Sequence, residues 1–252
     1  MQRSKKKIAM CISGYLRTFK ECYPSILKNI IQDHDVDIFI HTYDKLGNSS
    51  GWRHPIDLSE DIDMDFLESI PNIKVIVTEK WDDIKYKFEK FREFQPGVTN
   101  INVIATIFYK IYQANLLRKQ YEKEHNIEYD LVIRMRGDQF FEKAINLDFP
   151  EEKILINAYP WGDEDYVHRF NGGDNERDEE RWINDRFAVG KSELIDYLSE
   201  LYLKFGELIT ETEFVELEYL LHKYLQLNQI QYEKRNLYFY VKHNPPRLFK
   251  PQ

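Results

Sequence analysis

Nothing in the 252 residues approaches about 18 uninterrupted apolar positions, so the chain offers no membrane-spanning helix. The apolar run from Ile8 to Ile12 is too short for the core of a secretion signal, and a cytoplasmic location is expected. Cysteine is scarce. Cys11 and Cys22 are the whole supply, they lack metal-ligand spacing, and a reduced pair is the expectation. Basic charge is short as well: 35 Lys plus Arg stand against 43 Asp plus Glu, a net of −8, which argues against non-specific attachment to nucleic acid. The one basic run, Arg3 to Lys7, reads as a solvated tail over about residues 1–6. With only 10 Gly and 9 Pro, collagen-like and low-complexity structure is excluded. A phosphate-loop lysine pattern and G-x-G-x-x-G are both missing, which weakens mononucleotide-kinase and dinucleotide readings.

What is abundant is aromatic. Phe, Tyr and Trp make up 15% of the chain, enough large side chains for a sizeable core. Short buried runs alternate with helical patterns. Ile8 to Ile12 reads as a strand ending at Ser13-Gly14, and a helix follows over about Lys20 to Gln32. Val36 to His41, Lys74 to Thr78 and Asp130 to Arg134 read as further buried strands. The longest helical signal runs from about Ile101 to Glu122, with Ile104, Phe108, Ile111 and Asn115 on one face and Tyr109, Tyr112 and Gln113 on the other. That second stripe is either surface-solvated or in contact with substrate.

Trp161 to Phe187 is polar, acidic and too long for an ordinary connection. Beyond it, Arg186 to Val189 reads as a strand stopped by Gly190. Ser192 is placed to cap a helix reaching about Phe205, Thr212 to open another with Phe214, Leu217, Leu221 and Tyr224 as its core face, and Leu237, Phe239 and Val241 to alternate in a last strand. Alternating strands and helices predict one α/β domain over 1–252, with a mostly parallel, Rossmann-like central sheet flanked by helices and with C-terminal helices packed on it.

Two clusters carry chemistry. After the first strand, Ser13, Gly14 and Arg17 put a glycine turn, a hydroxyl and a guanidinium at the carboxyl edge of a parallel sheet, either as an anion site or as a plain turn beside a surface arginine. In Asp130-Leu131-Val132-Ile133-Arg134-Met135-Arg136-Gly137-Asp138, the apolar strand delivers Arg134, Arg136 and Asp138 at every second position, on one side of an extended chain. They serve a ligand or form an internal salt-bridge cluster of Asp138 with the two arginines.

The Ser13-Gly14-x-x-Arg17-Thr18-Phe19 turn, the Asp37-Ile38-Phe39-Ile40-His41-Thr42 strand, the Tyr129-to-Asp138 strand and Asn184-Asp185-Arg186-Phe187-Ala188-Val189-Gly190 together resemble bacterial and large-virus glycosyltransferases of the GT-A fold, which build surface polysaccharides. The resemblance spans about Lys7 to Leu225, and Glu218 before Leu220-Leu221 is a further weak match. It implies transfer of a hexosyl or deoxyhexosyl unit from a UDP- or GDP-sugar to a hydroxyl of a glycan or glycolipid. The enzyme would be cytoplasmic and would meet a membrane through its acceptor.

By position, the resemblance assigns donor binding to Ser13, Gly14, Arg17, Tyr109, Arg134, Arg136 and Asp138, and to His41, Thr42 and Asp44 near base and ribose. It also implies a divalent cation, Mn²⁺ or Mg²⁺, on the diphosphate. The Asp-x-Asp signature that holds it is incomplete, because only Asp138 is present. One carboxylate can serve within a mixed shell of waters and phosphate oxygens, or an arginine can neutralise the leaving diphosphate without metal. His243 is either a further ligand or a surface histidine.

For the base that deprotonates the acceptor, the acidic loop offers Asp163, Glu164, Asp165, Asp174, Glu176 and Asp178, a density usual for a solvated face. Asp185, directly before an apolar strand, is better held and is the first choice, with Glu218 second. As a turn residue or as a partner of Arg186 it would look the same. A non-catalytic nucleotide-sugar or carbohydrate-binding protein of the same fold is the alternative. A nucleotidyltransferase is a third reading, one that needs paired carboxylates for its metal.

Overall fold

The computed structural model describes residues 5–47, 56–91, 101–158, 183–212 and 215–242. Strand β1 (Lys7–Ser13) leads through α1 (Phe19–Ile26) and a π turn (Leu27–Ile31) to β2 (Asp35–Tyr43). Then come α2 (Met64–Glu68), β3 (Ile73–Glu79), α3 (Trp81–Ile84), a 3-10 turn (Lys85–Phe91), the long α4 (Ile101–His125), β4 (Leu131–Met135), β5 (Gln139–Phe141) and β6 (Ile154–Asn157). The described chain continues with β7 (Phe187–Gly190), α5 (Ser192–Ser199), α6 (Leu201–Thr210), α7 (Leu217–Leu227), β8 (Tyr232–Arg235) and β9 (Phe239–Val241).

Seven strands form one sheet in the order β3-β2-β1-β4-β7-β6-β8. β1 pairs in parallel with β2 and β4, and β2 with β3. β7 runs antiparallel to both β4 and β6, and β6 is parallel to β8, so β7 alone is reversed. The sheet is therefore mixed but mostly parallel, with helices on both faces.

Near-continuous apolar strands follow from that double cover. Ala9, Cys11, Phe39, Val132 and Ala188 face one layer, where Ile104, Phe108 and Ile111 of α4 pack with residues of α5, α6 and α7. Ile8, Met10, Ile12, Ile38, Ile40, Ile133 and Met135 face the other, with Phe19, Cys22 and Ile26 of α1. Each buried Val, Ile, Met or Phe side chain among them contributes roughly 1.5–3 kcal/mol, so the period-2 alternation fixes which residues can reach the site. Cys11 and Cys22 are free and buried, and burial pushes the Cys11 thiol up to about 12, which suits packing and not attack.

Several expectations need correction. Tyr109 is not on a solvated stripe but buried against Phe88 and Tyr202. Ser192 is the first residue of α5 and not its cap; Lys191 precedes the helix and makes no side-chain cap bond. The single helix expected to reach Phe205 breaks at Glu200 into α5 and α6. Thr212 opens no helix, because α7 begins at Leu217. The last strand starts at Phe239 and pairs with β5 in a separate two-stranded sheet. The Arg3 end of the basic tail, Phe214, His243 and the acids from Asp163 to Asp178 lie outside the described residues. Among the described residues, no helix is long and apolar enough to cross a membrane.

Candidate functional site

The chain leaves β1 toward β2 and β3 on one side and returns to β4 on the other, so the winding switches direction between β1 and β4. In open α/β sheets the crevice beyond the carboxyl ends of such a strand pair is where ligands sit. Here it is bounded by Ser13-Gly14 after β1 and by Arg136-Gly137-Asp138 after β4.

Gly14 takes φ +92 and donates its N–H to the His41 carbonyl at 3.2 Å. A Cβ there would meet nothing within 4 Å, so the turn faces open space. Tyr15 stacks on Tyr43 at 4.1 Å and presses on Gly47, where a Cβ would fall 2.2 Å from its ring. Arg17, with its N–H on the Leu46 carbonyl at 2.9 Å, is held at φ +43. Left-handed backbone costs a side-chain-bearing residue roughly 1–2 kcal/mol, a strain typical of functional turns.

Arg17 points that strained turn at Asp138. The Asp138 side chain is 0% exposed, and both its oxygens accept from guanidiniums: Oδ1 from Arg136 Nε at 3.0 Å, Oδ2 from Arg136 Nη2 at 2.6 Å and Arg17 Nη1 at 3.2 Å. Arg136 N–H bonds Gln139 Oε1 at 3.0 Å. Lys242 N–H bonds the Asp138 carbonyl at 2.8 Å, and the Lys242 carbonyl accepts from Thr18 Oγ1 at 2.9 Å. The small sheet thus serves to clamp the site turn against the start of α1.

Burial alone would raise the Asp138 carboxyl, but Arg136 and Arg17 outweigh it and hold it below the ordinary carboxylate range. Burial opposes Arg136 too, and the bidentate bond to Asp138 more than offsets it; Arg17, with one bond, is lowered by burial and by repulsion from Arg136. The ion pair proper is therefore Arg136 with Asp138, and Arg17 is a weakly compensated third member. Arg17 and Arg136 keep 19% and 26% of their side chains exposed.

Arg134 lies two residues deeper than Arg136, opposite Cys11 of β1 and Ala188 of β7. Its expected bond to Asp138 is not formed; Arg17 takes that place. It is buried, and its Nε, like that of Arg17, has no hydrogen-bond partner. Burial lowers it to about 10, still charged at neutral pH, and the nearby carboxylate that supports it is Asp185.

Because β7 runs against β4, with Phe187 opposite Met135, the residues before β7 meet the carboxyl edge of β4. Asp185 is buried there, and the Asn184 side chain holds the following turn through Arg186 N–H at 2.8 Å. Glu218, half-buried in the first turn of α7, is pushed up to about 7 by burial and by repulsion from Asp185, with Arg186 opposing. The two acids singled out from sequence are electrostatic neighbours.

His41, Thr42 and Tyr109 reach the same edge on the β2 side, in a network centred on Glu79 that leaves His41 Nδ1 and Thr42 Oγ1 without hydrogen-bond partners. Glu79 at the end of β3 is 3.4 Å from His41 Nε2 and accepts from Tyr109 at 2.8 Å and Lys110 at 2.9 Å, while Lys110 also bonds the Thr42 carbonyl at 3.0 Å. Burial and then Lys110 lower His41 to about 3, so it is neutral; burial lowers Lys110 to about 8. Asp44 lies in the half-exposed turn after β2. Sequence reasoning missed Glu79 and Lys110. The signals were an acid closing an apolar strand and a lysine one position before Ile111 on the core face of α4.

A divalent cation does not fit Asp138 as it is placed. The carboxylate has no solvent-facing surface, and guanidinium N–H groups already occupy both oxygens. Among the described residues, no group of three His, Cys, Asp or Glu can hold a metal ion. No protein-family model matches the chain, and no curated protein is found to be similar to it.

Proposed function

We propose that the chain is a GT-A-like glycosyltransferase that moves a sugar from a UDP- or GDP-sugar to a hydroxyl of a glycan or glycolipid. The observation that carries the reading is the guanidinium cluster at the β1/β4 switch point, in front of the open Gly14 turn. A phosphate-bearing donor fits forked, permanently charged donors at that position. The acceptor oxygen attacks the anomeric carbon while the bond from that carbon to the diphosphate oxygen breaks. The diphosphate leaves with the electron pair, and Arg17 and Arg136 stabilise its charge. Asp185 takes the acceptor proton, or positions the hydroxyl if configuration is retained. A hydroxyl acceptor on a lipid-linked glycan would bring a cytoplasmic enzyme to the membrane surface.

A non-catalytic nucleotide-sugar-binding protein is the second reading, favoured by the engagement of Asp138 as a counter-ion. Thermal shift with UDP, GDP and their sugars, followed by mass analysis of a hydroxyl acceptor, separates them. Stabilisation with a mass gain on the acceptor supports transfer, and stabilisation without turnover supports the binding protein. If no nucleotide stabilises the chain, both fall.

A further inference from the structure

We propose that the site binds diphosphate without a divalent cation, Arg17, Arg136 and Arg134 carrying the charge that a metal would otherwise supply and Asp138 acting as the positioning residue that holds two of them. The inference rests on the nucleotide-sugar reading above and goes beyond it in assigning how the diphosphate charge is met.

An ionised carboxylate has about four lone-pair sites. At Asp138, guanidinium N–H groups fill three of them. A hard cation needs ligand oxygens at about 2.0–2.6 Å and keeps several waters around itself. At Asp138 it would have to enter a fully buried position beside two positive groups that are themselves about 3 Å from the same oxygens.

The same arrangement leaves positive charge over for a ligand. Within the bracket, Arg17 and Arg136 face the single charge of Asp138. Arg134 adds another guanidinium behind them, and Asp185 supports it by its field, with no hydrogen bond at Nε. A buried guanidinium nitrogen without an acceptor is uncommon, and at the mouth of a ligand crevice it offers a donor that a phosphate oxygen can fill. The unbonded Nε of Arg17 and the partial exposure of both Arg17 and Arg136 point the same way.

Asp138 supplies order. Its bidentate bond fixes the plane of Arg136, its bond to Arg17 holds a residue in left-handed backbone, and its own carbonyl is tied to Lys242. A diphosphate arriving at this bracket finds donors already oriented, the condition under which charged donors are most effective.

The test is calorimetric titration of the whole chain with inorganic pyrophosphate, UDP and GDP, in EDTA and in MnCl₂, alongside sugar transfer in both. The proposal expects affinities equal within about twofold in the two buffers. Binding that needs Mn²⁺, or transfer that needs it, overturns the proposal and leaves the transferase reading intact. Cation-independent binding with no transfer in either buffer upholds the proposal and overturns the transferase reading. No binding in either buffer overturns both.

Arg17→Gln and Arg136→Gln should each lower pyrophosphate affinity by roughly 10- to 100-fold in EDTA. Asp138→Asn should lower it about tenfold in both buffers, with Asp138→Glu restoring part. An Asp138→Asn chain that folds and loses only an Mn²⁺-dependent component would make Asp138 a ligand and overturn the proposal. If that variant does not fold, the Arg17→Gln titration decides: unchanged pyrophosphate affinity overturns the proposal.

Discussion

Two buried guanidiniums on the α4 side of the sheet have opposite accounts. Arg118, on α4, has a partner on every guanidinium nitrogen: Nε donates to Asn115 at 3.0 Å, Nη1 to Glu122 at 2.6 Å and Nη2 to Asp196. Asp196 also accepts from Asn115 at 2.7 Å and from Lys119 at 3.0 Å, so the cluster rivets α4 to α5. Arg134, on β4, is as deeply buried, yet its Nε has no acceptor and its supporting carboxylate, Asp185, sits beside a second acid. Burial alone does not separate a structural ion cluster from a ligand site. The count of donors with acceptors does, because an unmet buried donor is costly in the unliganded fold.

The matched carboxylates offer the sharpest way to break this comparison. Asp185→Asn should leave nucleoside diphosphate affinity nearly unchanged and lower sugar transfer by about 10²- to 10⁴-fold, the scale of general-base catalysis, in single-turnover assays. Loss of nucleotide affinity in that variant would move Asp185 to the donor side, and near-normal transfer would hand its role to Glu218.

Arg118→Met should do the reverse. Removing the guanidinium takes a buried partner from Glu122 and from Asp196, which keeps Asn115 and Lys119, and should cost about 3 kcal/mol of stability by urea unfolding, while the folded fraction binds UDP or GDP as before. A cost below about 1 kcal/mol would mean that the α4–α5 rivet contributes little and that donor accounting does not mark structural clusters.

Sequence reading reached further into the open cluster than into the closed one, for a physical reason. A strand buried on both faces reads as an apolar run, so Arg134 stood out against Leu131, Val132 and Ile133. Arg118 sits where α4 turns polar among Lys119, Gln120 and Glu122, and nothing local shows that it is sealed by Asp196 from another helix. For the same reason the pairing at Asp138 was read in part. Period-2 spacing placed Arg136 beside it, but the second partner, Arg17, comes from a turn 121 residues away. β1, β2 and β4 were legible because each is a run of buried residues, and the half-buried edge strand β3 because Val75, Ile76 and Val77 are apolar and β-branched. Short β5 and the half-exposed β8 were not, since their place depends on tertiary pairing with β9 and β6.

The acid pairs sharpen the comparison through pH. Burial pushes up both Glu218 in the open cluster and Glu122 in the closed one, but a direct bond from Arg118 opposes the shift at Glu122, whereas Asp185 adds to it at Glu218. Glu218 is raised from 4.5 to about 7 in the folded chain. Its protonated form therefore favours the fold, a contribution that is complete below about 4.5 and lost as pH rises through about 7. Stability of the wild type relative to Glu218→Gln should fall across that window, with a slope no steeper than about 1.4 kcal/mol per pH unit. A difference that stays flat from pH 5 to 8 in urea unfolding would show that burial and Asp185 do not raise Glu218.

The smallest expected effect is the stability change in Arg134→Met, and it bears most directly on the contrast between the two arginines. Methionine fills a similar volume without charge. Replacing a poorly compensated buried charge by an apolar side chain is often neutral or stabilising. Asp185 does not become isolated in this variant, since Arg136 and Arg186 both remain within its field or that of its neighbour Glu218. Unfolding free energy should therefore change by less than about 1 kcal/mol, against the several expected for Arg118→Met, while pyrophosphate affinity drops. If Arg134→Met instead destabilises the chain as much as Arg118→Met and leaves pyrophosphate affinity untouched, Arg134 is a structural counter-ion of Asp185. The orphaned Nε would then mark strain in the core and not a place for a phosphate oxygen.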